Sequence, residues 1–91
     1  MTKPLRDVRP LGDEQKHYWM ARRMAKTVGV NLGEAYEAGK LSQEEWAVTV
    51  QRCRGCNWAE GCEKWLPQHQ DGAERPPRAC ANLALWERLK P

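Results

Sequence analysis

Three segments of this 91-residue chain start with the same helix-initiating signal and end soon afterwards at a residue that stops a helix. In each, asparagine or serine is followed three residues later by glutamate, which is the pattern of a capping box. The signals lie at 31–34, 42–45 and 57–60, and the stops are Gly39, Gly55 and Pro67. The spacing between start and stop leaves room only for short helices.

Two more helices are predicted outside these segments. One covers 13–28, with Asp13 as its N-cap and His17 on its apolar face. The other covers 77–90, with Cys80 in its first turn. Because the alternating apolar and polar runs of strands are absent, we expect an all-α fold, a compact bundle of four to five short helices around a four-cysteine site.

The length of the chain favours one domain. Residues 1–12 contain two prolines and a glycine and are predicted to form an extended N-terminal arm. Residues 13–91 are predicted to form a single helical four-cysteine domain. A chain of this size buries only about 60–65% of its unfolded surface, so a cross-link at the cysteines would add useful stability.

The four cysteines are the candidate site: Cys53, Cys56, Cys62 and Cys80. The predicted helix boundaries place all four near helix ends, where one compact bundle can bring them together. Thiolates are soft ligands that select zinc or iron–sulfur clusters, whereas Mg²⁺ and Ca²⁺ prefer oxygen. We predict that the four bind one [4Fe-4S] cluster. A zinc ion held by the same four is the alternative, and disulfides or free buried thiols are a third.

The run Cys53-x2-Cys56-x5-Cys62 resembles the three-cysteine part of the [4Fe-4S] loops of helix-hairpin-helix DNA glycosylases and WhiB-type regulators. In those families the fourth cysteine lies upstream, whereas here it lies downstream, at Cys80. The wider chain looks like a family of short bacterial four-cysteine proteins of unknown function. The stretches that carry this likeness are Gly-Lys-Leu-Ser at 39–42, Arg-Cys-Arg-Gly-Cys at 52–56, Cys62-x2-Trp65-Leu66 and Pro77-x2-Cys80-x-Asn82. The resemblance implies a compact domain organised around the four cysteines and brings no established reaction.

Other features of the sequence narrow the class of function. We find no Ser/His/Asp or Cys/His nucleophile pattern and no glycine-rich phosphate loop, so we expect neither an enzyme nor a small-molecule substrate. His17 and His69 are expected to be a packed helix residue and a loop residue. The net charge is only +3, whereas nucleic-acid-binding proteins usually carry a dense stripe of lysines and arginines. Nucleic-acid binding is therefore not favoured. Apolar runs long enough for a membrane span or a signal peptide are absent, which favours the cytoplasm.

These observations predict a small non-enzymatic metalloprotein that holds a [4Fe-4S] cluster. It would act as a redox or iron sensor, or as an electron carrier, through contacts with an unidentified protein partner. The alternative is a zinc-stapled protein-interaction module, and a nucleic-acid-binding helical domain ranks below both. Trp19 lies off the apolar stripe of its helix and is the candidate partner contact.

Overall fold

The structure is a computed structural model that describes residues 12–90, and this part of the chain contains five α-helices and no strand. The helices are α1 (Glu14–Thr27), α2 (Leu32–Glu37), α3 (Gln43–Arg54), α4 (Ala59–Gln68) and α5 (Leu83–Leu89). The predicted all-α fold is confirmed. The predicted arm over 1–12 lies outside the described residues except for Gly12. Within residues 12–90, no helix is both long enough and apolar enough to span a membrane.

The first three helices begin where the sequence predicts. The side chains of Asp13, Asn31 and Ser42 each accept a hydrogen bond from the backbone N–H three residues later, at 2.8, 3.0 and 3.0 Å. Each bond satisfies one of the N–H groups that a helix start leaves unpaired. Gly29 and Gly39 follow α1 and α2 with φ of 87° and 73°, a left-handed conformation that suits glycine.

The predicted capping box at 57–60 does not cap α4, which is a correction. The N-cap residue of α4 is Trp58, and no side chain makes a cap hydrogen bond there. The backbone N–H of Trp58 instead donates to Cys56 Sγ at 3.4 Å, so the turn before α4 is shaped by a sulfur contact. Pro67 was predicted to end the helix but lies inside its last turn, and α4 ends one residue later, at Gln68.

The last helix is shorter than predicted and begins at Leu83 rather than near Pro77. Two successive turns precede it, closed by Cys80 N–H to Pro77 O and by Leu83 N–H to Cys80 O, each at 3.1 Å. Cys80 therefore lies upstream of α5 and not in its first turn. The amide of Asn82, the N-cap residue, donates to Thr49 O at 3.0 Å, so its side chain bonds α3 instead of capping α5.

The core lies on one face of α1, which packs most extensively against α3 and next against α4. The apolar stripe of α1 is buried, as predicted, and Trp86 of α5 is fully buried against the same cluster. The buried residues of this cluster include Met20, Met24, Ala25, Val28, Val30, Leu41, Cys62, Leu66, Leu85, Trp86 and Leu89. This packing brings the end of α3, the start of α4 and the turns before α5 together beside α1.

Candidate metal centre

One cavity in the described chain is lined by all four cysteines. Cys53 lies in the last turn of α3, Cys56 in the turn that follows, Cys62 in the first turn of α4 and Cys80 in the turns before α5. The cavity is small, with a volume of about 20 Å³. The structure thus brings together the four residues that the sequence singled out. Their role as metal ligands stays a prediction.

The remaining wall of the cavity is largely apolar. The buried face of α1 contributes Met20, Ala21 and Met24, and the indole rings of Trp58 and Trp86 contribute two further sides. Apolar walls exclude water and lower the local dielectric, which strengthens electrostatic interactions at the sulfurs. The four thiols therefore share a largely apolar compartment, in which Cys62 is buried and the other three cysteines are partly exposed.

Trp58 reaches the cavity because α4 carries a glycine, Gly61, in its first turn. A Cβ built at Gly61 would overlap the indole of Trp58 at Nε1 and Cε2. No other amino acid leaves room for the ring at this position. Gly61 thus lowers the helix propensity of α4, but it leaves room for the Trp58 indole to cover the cysteines.

Three of the four sulfurs are in contact with nitrogen atoms. Trp86 Nε1 donates to Cys80 Sγ at 3.3 Å, and the backbone N–H of Trp58 donates to Cys56 Sγ at 3.4 Å. Cys53 Sγ lies 3.5 Å from His17 Nδ1. Hydrogen bonds from outside the ligand set are what orient metal ligands and stabilise the charge on thiolate sulfur.

Burial dominates the electrostatics of the thiols. It raises the pKa of Cys53 to about 12 and that of Cys62 to about 11, with the charges of neighbouring cysteines adding to both increases. The pKa of Cys80 is also raised by burial, against the opposing hydrogen bonds from Asn82 N–H and Trp86. Every pair among the four cysteines contributes a charge effect, as expected for thiols grouped around one cavity. In the metal-free chain these three thiols are protonated at neutral pH.

His17, which the sequence predicts to be a packed helix residue, also contacts Cys53 of the cavity. Its side chain is 5% exposed, and burial, followed by the charge of Lys16, lowers its pKa. The sequence contained a signal for this position, because His17 lies on the same apolar stripe of α1 as Met20 and Met24, which line the cavity. His69, in contrast, stacks on Trp65 with ring centroids 4.0 Å apart and does not line it.

Asn82 is a second residue that sequence reasoning did not assign to the site. It lines the cavity and is 3% exposed. Its Nδ2 is bonded to Thr49 O, whereas its Oδ1 is buried without a hydrogen-bond partner. The amide ties the turns that carry Cys80 to α3, which carries Cys53.

All four cysteines are free thiols. Over residues 12–90, no group of three or more His, Cys, Asp or Glu side chains is arranged to hold a metal ion as it stands. A zinc ion with bonds of about 2.3 Å to four sulfurs would need them roughly 3.8 Å apart. A [4Fe-4S] cluster places iron and sulfide atoms between the ligands and so holds the cysteine sulfurs farther apart.

Fold and site together define a small all-α protein with four free thiols around one largely apolar cavity. The chain belongs to the family of unknown function DUF6455, which matches residues 8–91 and hence all four cysteines. The predicted membership of a family of unknown function is confirmed. Neither the curated proteins nor the solved structures contain a match to this chain.

Proposed function

We propose that this protein is a small non-enzymatic metalloprotein that binds a [4Fe-4S] cluster through Cys53, Cys56, Cys62 and Cys80. It acts in the cytoplasm as a redox or iron sensor, or as an electron carrier, through contacts with a protein partner. The observation that carries the proposal is that one cavity is lined by all four thiols. Iron–sulfur clusters are held by cysteine thiolates, and hydrogen bonds to the sulfurs tune their potential.

The hydrogen bonds at the sulfurs favour a cluster over a single ion, because the potential of an iron–sulfur cluster depends on hydrogen bonds to its sulfurs. The cavity of about 20 Å³ has room for about one water-sized group. Binding of a cluster therefore requires the four sulfurs to move apart.

A zinc-stapled interaction module is the second candidate. It is favoured by the packing of the chain, in which the extensive helix contacts of the described part are those of α1 with α3 and with α4. The turns that hold Cys80 and the short helix α5 therefore gain most from a cross-link. Four cysteine ligands form a common structural zinc site, so the donor set suits this function as well.

The partner contact is proposed to lie around Trp19. The side chain of Trp19 is 53% exposed, as the sequence predicted. The guanidinium of Arg22 lies 5.3 Å from the ring centroid of Trp19 and 5.8 Å from that of Tyr18. Exposed tryptophan, tyrosine and arginine side chains are frequent binding hot spots in protein interfaces.

Anaerobic reconstitution with iron and sulfide tests the cluster. We expect a brown protein with four irons and four sulfides per chain, and loss of the colour when any of the four cysteines is changed to serine. Ala21→Ser is the matched control, because Ala21 lines the same cavity and is 2% exposed but supplies no ligand. This variant should retain the cluster.

Three results would overturn the proposal in different ways. A colourless protein with one zinc per chain would establish the stapled module. A protein that binds neither metal would make the cysteines buried thiols. Retention of a full cluster by Cys80→Ser would replace the four-cysteine site by three cysteines and an external ligand.

A further inference from the structure

The contact between His17 and Cys53 is not explained by the four ligands alone. The two residues are 36 positions apart, and His17 Nδ1 lies 3.5 Å from Cys53 Sγ. The imidazole is 5% exposed and lies on the α1 face that walls the cavity. A buried imidazole next to a sulfur exchanges a hydrogen bond with it, and the direction depends on which atom carries the proton.

The orientation of the imidazole is fixed from its other side by Gly12. A Cβ at Gly12 would overlap the ring at Nε2 and Cδ2, so the backbone of Gly12 packs directly against the imidazole. Two hydrogen bonds join Gly12 to Arg54. The backbone oxygen of Arg54 accepts from Gly12 N–H at 3.0 Å, and Arg54 Nε donates to Gly12 O at 2.8 Å. The last turn of α3 thus presents Cys53 to one edge of the ring and holds Gly12 against another.

The chemistry of a ligand thiolate sets the direction of this hydrogen bond. A thiol can donate its proton to Nδ1, but a thiolate bound to iron has no proton and can only accept. Once Cys53 is a ligand, the contact is favourable only when Nδ1 carries the proton. A neutral imidazole can do so without placing a charge in the cavity.

We propose that His17 is a positioning residue of the cluster site, which donates its Nδ1–H to the sulfur of Cys53. The inference rests on the proposed function. The hydrogen bond orients Cys53 and offsets the additional negative charge that the cluster acquires on reduction. It therefore raises the reduction potential of the cluster and slows its loss.

Redox titration of the reconstituted full chain, followed by EPR of the reduced cluster, tests the proposal. His17→Leu removes the donor, and we expect a more negative potential and faster loss of iron to a chelator. His17→Asn places an amide N–H near the position of Nδ1 and should restore the potential toward that of the unchanged protein. Gly12→Ala keeps the imidazole but displaces it, and should shift the potential in the same direction as His17→Leu.

Leu66→Met is the control for packing, because Leu66 is 2% exposed in the same core and does not line the cavity. It should leave the potential unchanged. Equal potentials in the unchanged protein and in the His17→Leu or Gly12→Ala variant would overturn the role of His17 while leaving the cluster intact. So would a shift in Leu66→Met as large as that in His17→Leu, since packing would then account for it. If the unchanged protein holds no cluster, the proposed function fails first and this inference fails with it.

If His17→Leu does not fold, Gly12→Ala and His17→Asn still decide the question. A negative shift in Gly12→Ala together with a near-normal potential in His17→Asn supports the donor. A normal potential in Gly12→Ala contradicts it.

Discussion

Trp58 lies so close to Gly61 that one added methyl group at position 61 would displace the indole from the cavity. We expect Gly61→Ala to displace the indole and open the cavity, so that the reconstituted protein loses metal to a chelator several times faster. The gain in helix propensity, about 1 kcal/mol, acts in the opposite direction on stability. Gly33→Ala in α2 is the matched control, since its Cβ would meet only Asn31 Oδ1 at 3.4 Å. Equal rates of metal loss in the two variants would contradict the role of Gly61.

The indole N–H of Trp86 supplies a second test at the level of one residue. Trp86→Phe keeps much of the buried volume but removes the donor to Cys80 Sγ. We expect the metal-free, reduced protein to lose about 1–3 kcal/mol of stability from the lost hydrogen bond and the small cavity. Urea unfolding measures this loss. Trp19→Phe, at a 53% exposed position, should change stability by less than about 0.5 kcal/mol.

At the level of the element, α3 depends on the hydroxyl of Ser42, which accepts from Glu45 N–H at 3.0 Å. Ser42→Ala should cost about 1 kcal/mol, because it leaves an N–H of the first turn without its partner. Thermal unfolding followed by circular dichroism measures the change. Ser42→Asp restores an equally good cap and should recover the stability. If both variants were equally destabilised, the cap would not be the cause.

For the whole molecule, the raised thiol pKa values predict how stability depends on pH. Thiols near pKa 9 in the unfolded chain rise to about 12 for Cys53 and about 11 for Cys62 in the folded one. Folding therefore favours the protonated thiols, so this stabilisation is complete below about pH 9 and is lost as pH rises toward 12. The melting temperature of metal-free protein should fall over this range. Cys53→Ala should show a shallower fall, and a parallel fall would contradict the assignment.

In the proposed metal-bound form, removal of the metal should affect the two ends of the described chain differently. The packing of α1 against α3 and the Ser42 cap do not involve the cysteines as ligands, so these helices should retain hydrogen-exchange protection. The segment from Cys53 onward should lose protection, because metal binding adds its free energy to folding there. Uniform protection with and without chelator would mean that the cysteines contribute little to the fold.

Local interactions explain which parts of the fold could be predicted. The caps at Asp13, Asn31 and Ser42 are bonds across three residues, and the turns at Gly29 and Gly39 need a conformation that glycine adopts readily. The residue types at these positions therefore determine the outcome without knowledge of the rest of the molecule. The start of α5 could not be predicted in this way, because a tertiary contact with Thr49 takes the side chain of its N-cap residue, Asn82. At α4 the competing group is the sulfur of Cys56, which accepts from Trp58 N–H.

In the candidate site, too, some features follow from the local sequence and others only from tertiary packing. From the sequence alone, the four cysteines and their placement near helix ends already indicated that the thiols could meet. Only the tertiary structure decided what surrounds them. Asn82 binds Thr49 across 33 residues, and His17 meets Cys53 across 36 residues. Such contacts depend on how α1, α3 and the turns before α5 pack, and that geometry is set by burial of the shared apolar core rather than by any local pattern.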